Sequence, residues 1–510
     1  MKTFSLNRSD IFGIGSLKNK YAIYVIFAIY LLLLITAVAN HERWMDEAQA
    51  WLLVKDSSIQ DLFFKYLRYE GSPGLWHLIL LLPAKLGFPY YTINIISATF
   101  SAIGVWLFLR YSPFPLIVKI LLPFTYFTFF QYGVVARSYC LIPGLMFLIA
   151  MIYKTKDQQP LRYILLLCLF ANVSAHTFLI ACCILFIHFL DIIKNWNDVD
   201  RKMILRNILG FSIFGLMAIL LVLMLLPPSD QIFAGRVNGT LHNFLHVPKM
   251  VAGGLTLNEV GSLIWLQSIV SFCVFSITVY WFAKKDIGII YWLPLIIVVC
   301  FSAIVYKNVW HQGILFFLWI FVLWLSFERE EKEQPSRLSQ NVVYSIIVVL
   351  AIQTYWTIQS FSYDLNKNYS GSYQVASYIK DNKLEDEKIF ITGWKSISVL
   401  PYFEKNIFYN LNNGSDKRFW FWSTYNKTEL GFDSCVIQKV QKDQPEAIIV
   451  ASHYIPRQKA VKFEGYKYIG LFKGFLCWKT RRYEPESYLV FRKDEHQYLT
   501  KKKGTQKKGL

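Results

Sequence analysis

Two adjacent carboxylates, Asp46 and Glu47, follow directly on a long apolar run. A single guanidinium, Arg137, sits between two later runs in Gln131-Tyr-Gly-Val-Val-Ala-Arg137-Ser-Tyr139. His176 separates another pair of runs, and Lys307 and His311 occur in Lys307-Asn-Val-Trp310-His311 between two more. A carboxylate near water can take the proton of an acceptor hydroxyl, while Arg and Lys hold and neutralise a departing phosphate. Each residue also has a plainer reading. Acids favour helix N-termini, and an Arg, Lys or His between spans can lie at the level of the lipid headgroups. Convergence on one side of a membrane is the stronger observation, because an ionisable group at that depth needs a partner.

The elements that must position these groups are apolar. The chain has 510 residues, 55% hydrophobic, 17% aromatic and 17% charged, with a mean hydropathy of +0.35. This composition fits a polytopic α-helical membrane protein and excludes a small nucleic-acid-binding protein, a secreted disulfide scaffold and a disordered tail. Runs at 21–39, 91–109, 117–132, 139–153, 162–175, 177–191, 206–226, 263–282, 287–306, 313–327 and 341–358 give about eleven transmembrane helices. The first run follows Lys18 and Lys20, and Ala37-Val-Ala39 matches a cleavage pattern; it is read as an uncleaved span because many more follow. Placing the N-terminus inside collects most Lys and Arg of the loops on the inner side, so an odd number of spans leaves the C-terminal part outside. The net charge of +19 therefore matters by location rather than by sign.

Residues 41–90 form the first outer loop, within which 74–88, carrying Pro83, His77 and Lys85, reads as a re-entrant or interfacial helix. The multi-span domain is expected over 1–358. A C-terminal extracytoplasmic α/β domain follows over 359–495, with helical patterning at 371–380 and strand-like runs at 388–392, 447–451, 466–472 and 488–491. Residues 496–510 form a basic, disordered tail. Six of the eight cysteines fall in spans; Cys435 and Cys477 fall in the outer domain and are a candidate disulfide in an oxidising compartment. Sequons at Asn238, Asn368, Asn413 and Asn426 are expected outside. No P-loop and no Gly-x-Gly-x-x-Gly opening a helix is present, so nucleotide hydrolysis has no support.

Three short motifs in order, Asp46-Glu47, Glu70-Gly-Ser-Pro73-Gly-Leu-Trp76 and Ala136-Arg137-Ser-Tyr139, resemble the membrane-embedded glycosyltransferases of the GT-C fold. The resemblance is to the protein O-mannosyltransferase and aminoarabinose transferase-like group, and in layout it covers about residues 20–330. It implies a hexosyl- or pentosyltransferase that moves a sugar from a polyprenyl-phosphate donor, with inversion, to a glycan, lipid or protein acceptor on the outer face of a bacterial inner membrane. Asp46 is then the general base, with Glu47 beside it. Arg137, Tyr139, Lys307, His311, Arg43 and Glu70 are the substrate-binding residues. The family loop usually reads His-Pro-Pro where this chain has Ser72-Pro73-Gly74, so no role transfers to a histidine there. Some members bind a divalent metal near the acidic loop, and Asp46, Glu47 and an imidazole could form such a site. Two other readings use the same charges: a transporter or flippase of a lipid-linked sugar, which should show polar groups at the bilayer midplane, and a polymerase or ligase joining whole glycans.

Overall fold

The computed structural model describes residues 20–198, 200–232, 246–258, 263–305, 308–330, 336–431, 433–451 and 463–494. Lys307, the sequon at Asn238 and the basic tail expected at 496–510 lie outside these residues.

Among the described residues nine helices are long and apolar enough to cross a bilayer. In chain order they are α1 (Lys20–Asn40), α4 (Thr92–Tyr111), α5 (Leu116–Val134), α6 (Ser138–Thr155), α8 (Ala175–Lys194), α9 (Arg201–Leu225), α11 (Ile264–Lys284), α13 (Val309–Glu328) and α14 (Arg337–Asn366). Two of the eleven expected spans are shorter: α7 (Pro160–Ala171) has 12 residues and α12 (Gly288–Ile304) has 17. At about 1.5 Å per residue, α7 reaches little more than half of a roughly 30 Å hydrocarbon core. Proline opens it at Pro160, and it ends at Asn172, whose side chain turns back onto the Cys168 carbonyl.

The loop after α1 is helical almost throughout. It holds α2 (Met45–Asp56), an irregular helical stretch from Ile59 to Glu70, and α3 (Leu75–Lys85), an eleven-residue apolar helix interrupted by Pro83. Gly71 supplies the left-handed turn between the last two, at φ +59°.

The bundle centres on α13, of which 94% is enclosed by protein, whereas only 17% of α9 is. An apolar helix without lipid contact serves as a packing axis for its neighbours. Close approach is local: a Cβ on Gly104 of α4 would lie 3.0 Å from the Gly144 nitrogen of α6, so only small residues fit that crossing. In α5, Pro123 breaks the helix into an α-turn, a 3-10 turn and a π-helical stretch, Tyr126–Val134. The π stretch delivers the chain to Ala136 and Arg137 in extended conformation.

Helix α14 continues to Asn366, about two turns past the expected boundary at 358. Beyond it, α15 (Ser372–Asp381) and α16 (Ser434–Asp443) accompany a four-stranded sheet. The sheet consists of β1 (Ile389–Thr392), β2 (Ala447–Ala451), β3 (Tyr466–Phe472) and β6 (Tyr488–Lys493) in the order β1-β2-β6-β3, with β1 and β2 parallel and the other pairs antiparallel. Every residue of β1 and β2 is buried, as expected for a parallel pair. A separate hairpin, β4 (Phe475–Trp478) and β5 (Arg481–Pro485), has no counterpart in the strand-like runs of the sequence. It leaves the sheet and wedges into the helical domain. Trp478 packs edge-on against Tyr126 (5.3 Å) and Trp310 (5.2 Å). At its turn the buried Lys479 donates hydrogen bonds to the carbonyls of Gly253 (3.0 Å), in the short helix α10 (Val247–Leu255), and Leu257 (2.6 Å) and to Gln312 Oε1 (2.9 Å).

Both Cys435 and Cys477 are free thiols. Cys435 is exposed on α16 and Cys477 is buried on β4, where its sulfur lies 3.6 Å from Ser360 Oγ. The expected disulfide is not formed, because the hairpin carries Cys477 away from the sheet and under the helices.

Candidate active site

Helix α2 begins where Glu47 reaches back to the Trp44 amide (3.0 Å), half of the reciprocal arrangement that caps helix N-termini. Four donors converge on this one carboxylate. Oε2 accepts from Trp44 N and faces His41 Nε2 (3.3 Å), while Oε1 accepts from Asn94 Nδ2 (3.0 Å) and Ala136 N (2.8 Å). The other ring nitrogen of His41 lies 2.8 Å from Asp364 Oδ2 near the C-terminal end of α14. Burial alone would lower the His41 pKa, but the carboxylates on either side overrule it and raise it to about 10. Burial likewise works against the Glu47 charge, and the His41 cation and the amide donors win, so its pKa falls below the usual carboxylate range. Glu47 thus ties α1, α2, α4, α14 and the Ala136 backbone into one buried knot.

Asp46, one residue earlier, points elsewhere. Its Oδ2 lies 2.6 Å from Arg137 Nη1, and both side chains remain partly accessible, 28% and 23%. Burial raises the Asp46 pKa, Arg137 opposes this without cancelling it, and Glu484, Lys395 and Glu47 also act on the carboxylate. The guanidinium stacks over Trp44 (5.8 Å) and Tyr139 (5.2 Å). Tyr139 also meets the ring of Tyr132 (5.2 Å), whose hydroxyl donates to the Trp310 carbonyl (2.8 Å) and so fixes the start of α13 to the end of α5. His311 stands edge-on to Tyr139 (6.1 Å) and its ring centroid is 3.8 Å from that of His176. Asp46, Arg137, Tyr139, His311 and His176, separated by up to 265 positions in sequence, form one continuous cluster.

Glu70 lies within the electrostatic reach of both Asp46 and Arg137. It accepts from Gln49 Nε2 (2.7 Å), and burial lifts its pKa to about 7, with Asp46 raising it further and Arg137 lowering it. Arg43 is directed away. Its Nε donates to Asn94 Oδ1 (2.5 Å), its guanidinium covers the Tyr90 ring (5.3 Å), and it borders a cavity of about 1670 Å³ between α1 and α4 that Asp46 and Arg137 do not line.

The C-terminal domain contributes residues that no motif indicates. Lys395, buried in the helical turn Trp394–Tyr402, donates to the Pro485 carbonyl and meets Glu484 Oε1, each at 2.7 Å. Glu486 accepts from the Met45 amide (3.0 Å) and from Ser370 Oγ (2.9 Å), and burial lifts its pKa to about 8. Of the residues that the sequence reading missed, His41, Asn94 and Asp364 carry a signal, as polar residues at or just beyond the ends of apolar spans. Lys395, Glu484 and Glu486 are brought in by tertiary folding alone.

The donors around Asp46 and Glu47 do not suit a divalent metal. Both Glu47 oxygens are committed to hydrogen bonds, and the imidazole beside it is held as a cation, which cannot ligate. Among the described residues no group of three His, Cys, Asp or Glu side chains is arranged to hold a metal.

No protein-family model and no curated protein matches the sequence. Among solved structures, the chain is similar to the crystal structure of ArnT from Cupriavidus metallidurans bound to undecaprenyl phosphate. The identity is 9% and the TM-score 0.44, with 92% of this chain and 97% of that one covered.

Proposed function

We propose that the protein is an integral-membrane glycosyltransferase that moves a sugar from a polyprenyl-phosphate donor to an acceptor hydroxyl, with Asp46 as general base. The observation that carries this reading is the Asp46–Arg137 pair, a partly open carboxylate and guanidinium at 2.6 Å in an otherwise closed, aromatic-walled cluster. The order of the short motifs around Asp46, Glu70 and Arg137 supports it independently. In the reaction the acceptor oxygen attacks the anomeric carbon as its proton passes to Asp46. The bond from that carbon to the phosphate oxygen breaks, the phosphate leaves with the electron pair, and attack from the opposite face inverts the configuration. A pKa raised by burial suits Asp46 to this task, since a base works best when poised near the operating pH. Arg137 supplies the fixed positive charge for the departing phosphate. Glu47, with every oxygen engaged, positions the base and the arginine rather than exchanging protons. Tyr139, His311 and Glu70 wall the site. Arg43 faces the cavity between α1 and α4, where it meets the lipid side of the protein. The site and the C-terminal domain are assigned to the outer face of a bacterial inner membrane on the distribution of Lys and Arg among the loops.

The test is incubation of purified protein with labelled polyprenyl-phosphate sugars and a membrane extract, comparing wild type with Asp46→Asn and Arg137→Ala. Label moving to a product heavier by one sugar, with the wild type alone, supports the reading. Transfer retained by Asp46→Asn removes Asp46 from the mechanism, and passage of the intact donor across vesicles without product replaces transfer by transport.

A further inference from the structure

We propose that the C-terminal domain completes the reaction centre through an opposed pair of positioning residues, Lys395 and Glu484, which set the charge of Asp46 from beside the start of α2. The inference rests on the reading of Asp46 as the reacting carboxylate.

The geometry has three parts. First, the chain that carries Glu484 is anchored to the start of α2. Glu486 accepts the Met45 amide at 3.0 Å, and Met45 immediately precedes Asp46. Second, Lys395 is immobilised. Its ammonium is buried, its Nζ is 2.7 Å from the Pro485 carbonyl, and it meets Glu484 at the same distance. Third, Glu484 is not sealed in: its side chain is 28% accessible, as is that of Asp46. A solvent-exposed ion pair is worth little. Here one member is buried and the other mostly so, and charges away from bulk water interact more strongly than in it.

The groups whose charges act on Asp46 are Arg137 from the segment after α5, Glu47 and Glu70 from the first loop, and Lys395, Glu484 and Glu486 from the C-terminal domain. Within this set Lys395 lowers and Glu484 raises the pKa of Asp46. The pair therefore acts as a balance, and removing either member tips Asp46 in a definite direction. Without Lys395, Asp46 loses a cation and Glu484 loses its counter-charge, so both consequences raise the Asp46 midpoint. Without Glu484, Lys395 is left uncompensated, and both consequences lower it.

The experiment is an infrared titration of the carboxyl band that disappears in Asp46→Asn, recorded on full-length protein for wild type, Lys395→Met, Glu484→Gln and the double variant. The acid limb of the transfer rate is followed in parallel. The expected result is an upward shift of about one pH unit in Lys395→Met, a downward shift of similar size in Glu484→Gln, and a midpoint near wild type in the double variant. Lys395→Arg, which keeps the charge, should restore the wild-type midpoint and serves as the control if Lys395→Met does not fold. Midpoints that stay put, or that move in the same direction in both single variants, overturn the proposal. Opposite shifts in a protein that transfers no sugar would uphold the charge balance and overturn the glycosyltransferase reading, so the two fail separately.

Discussion

Asp46 and Glu47 are neighbours in sequence and share a helix turn, yet the two carboxylates occupy opposite kinds of surroundings. Glu47 is fully buried, accepts from three donors besides His41, and is held ionised by an imidazolium. Asp46 has one close cation, keeps 28% of its side chain accessible, and is pushed by burial toward its neutral form. A carboxylate whose lone pairs are all spent contributes shape, whereas one with spare capacity and a shifted pKa can exchange a proton with something that enters. The local sequence offers both residues equally. What separates them is the direction in which the first turn of α2 points each side chain.

The sharpest way to break this comparison is at Asp46 itself. Asp46→Asn should reduce transfer by about a thousandfold, in the middle of the range for a general base, while leaving the melting temperature in detergent unchanged. A loss of stability instead would assign Asp46 to the scaffold with Glu47. Next comes the knot. His41→Gln leaves two buried carboxylates facing each other and should cost about 3 kcal/mol, the lower end for breaking a buried pair. Because the His41 pKa rises from 6.5 to about 10 on folding, its stabilisation is complete below about pH 6.5 and is lost as pH climbs toward 10. The gap in melting temperature between wild type and His41→Gln should therefore be widest in mild acid and close in alkali, and a constant gap would mean that His41 is not held as a cation. Arg137→Ala should lower transfer by about a hundredfold, the scale of one lost charge-stabilising donor. It should also move the acid limb of the rate upward, since Arg137 lowers the Asp46 pKa. The smallest effect is expected from Glu70→Gln, a modest downward shift of that limb with little change in maximal rate, because Glu70 and Asp46 raise one another only while Glu70 is charged.

Much of this was legible in the chain because membranes penalise polarity. Asp46, Arg137, Tyr139 and His311 stand at the ends of apolar spans, where a polar side chain requires an explanation, and tertiary structure brings these four into one cluster. The same rule, applied to His41, Asn94 and Asp364, would have exposed the knot. It could not distinguish a scaffold carboxylate from a reactive one, since Asp46 and Glu47 carry the same local signal. Nor did it mark Arg43 as facing a separate cavity. The apolar runs gave helices at all eleven positions, but α7 is shorter than a full crossing, because runs of hydropathy do not register a helix that begins at Pro160 and ends at Asn172. Lys395 and Glu484 were invisible for a different reason. They lie in polar sequence where charged residues are common; the β4–β5 hairpin, with its short strands and a non-glycine turn at Lys479, carries Glu484, and Lys395 meets it from the separate turn Trp394–Tyr402.

That hairpin imposes an order of events on biosynthesis. The partners of Lys479 are backbone carbonyls near residues 253 and 257 and a side chain at position 312, all synthesised long before it. These contacts cannot form, and the centre around Asp46 cannot close, until residues 475–486 have left the ribosome. If the proposed transfer reaction is the protein's activity, a half-made chain is an idle one.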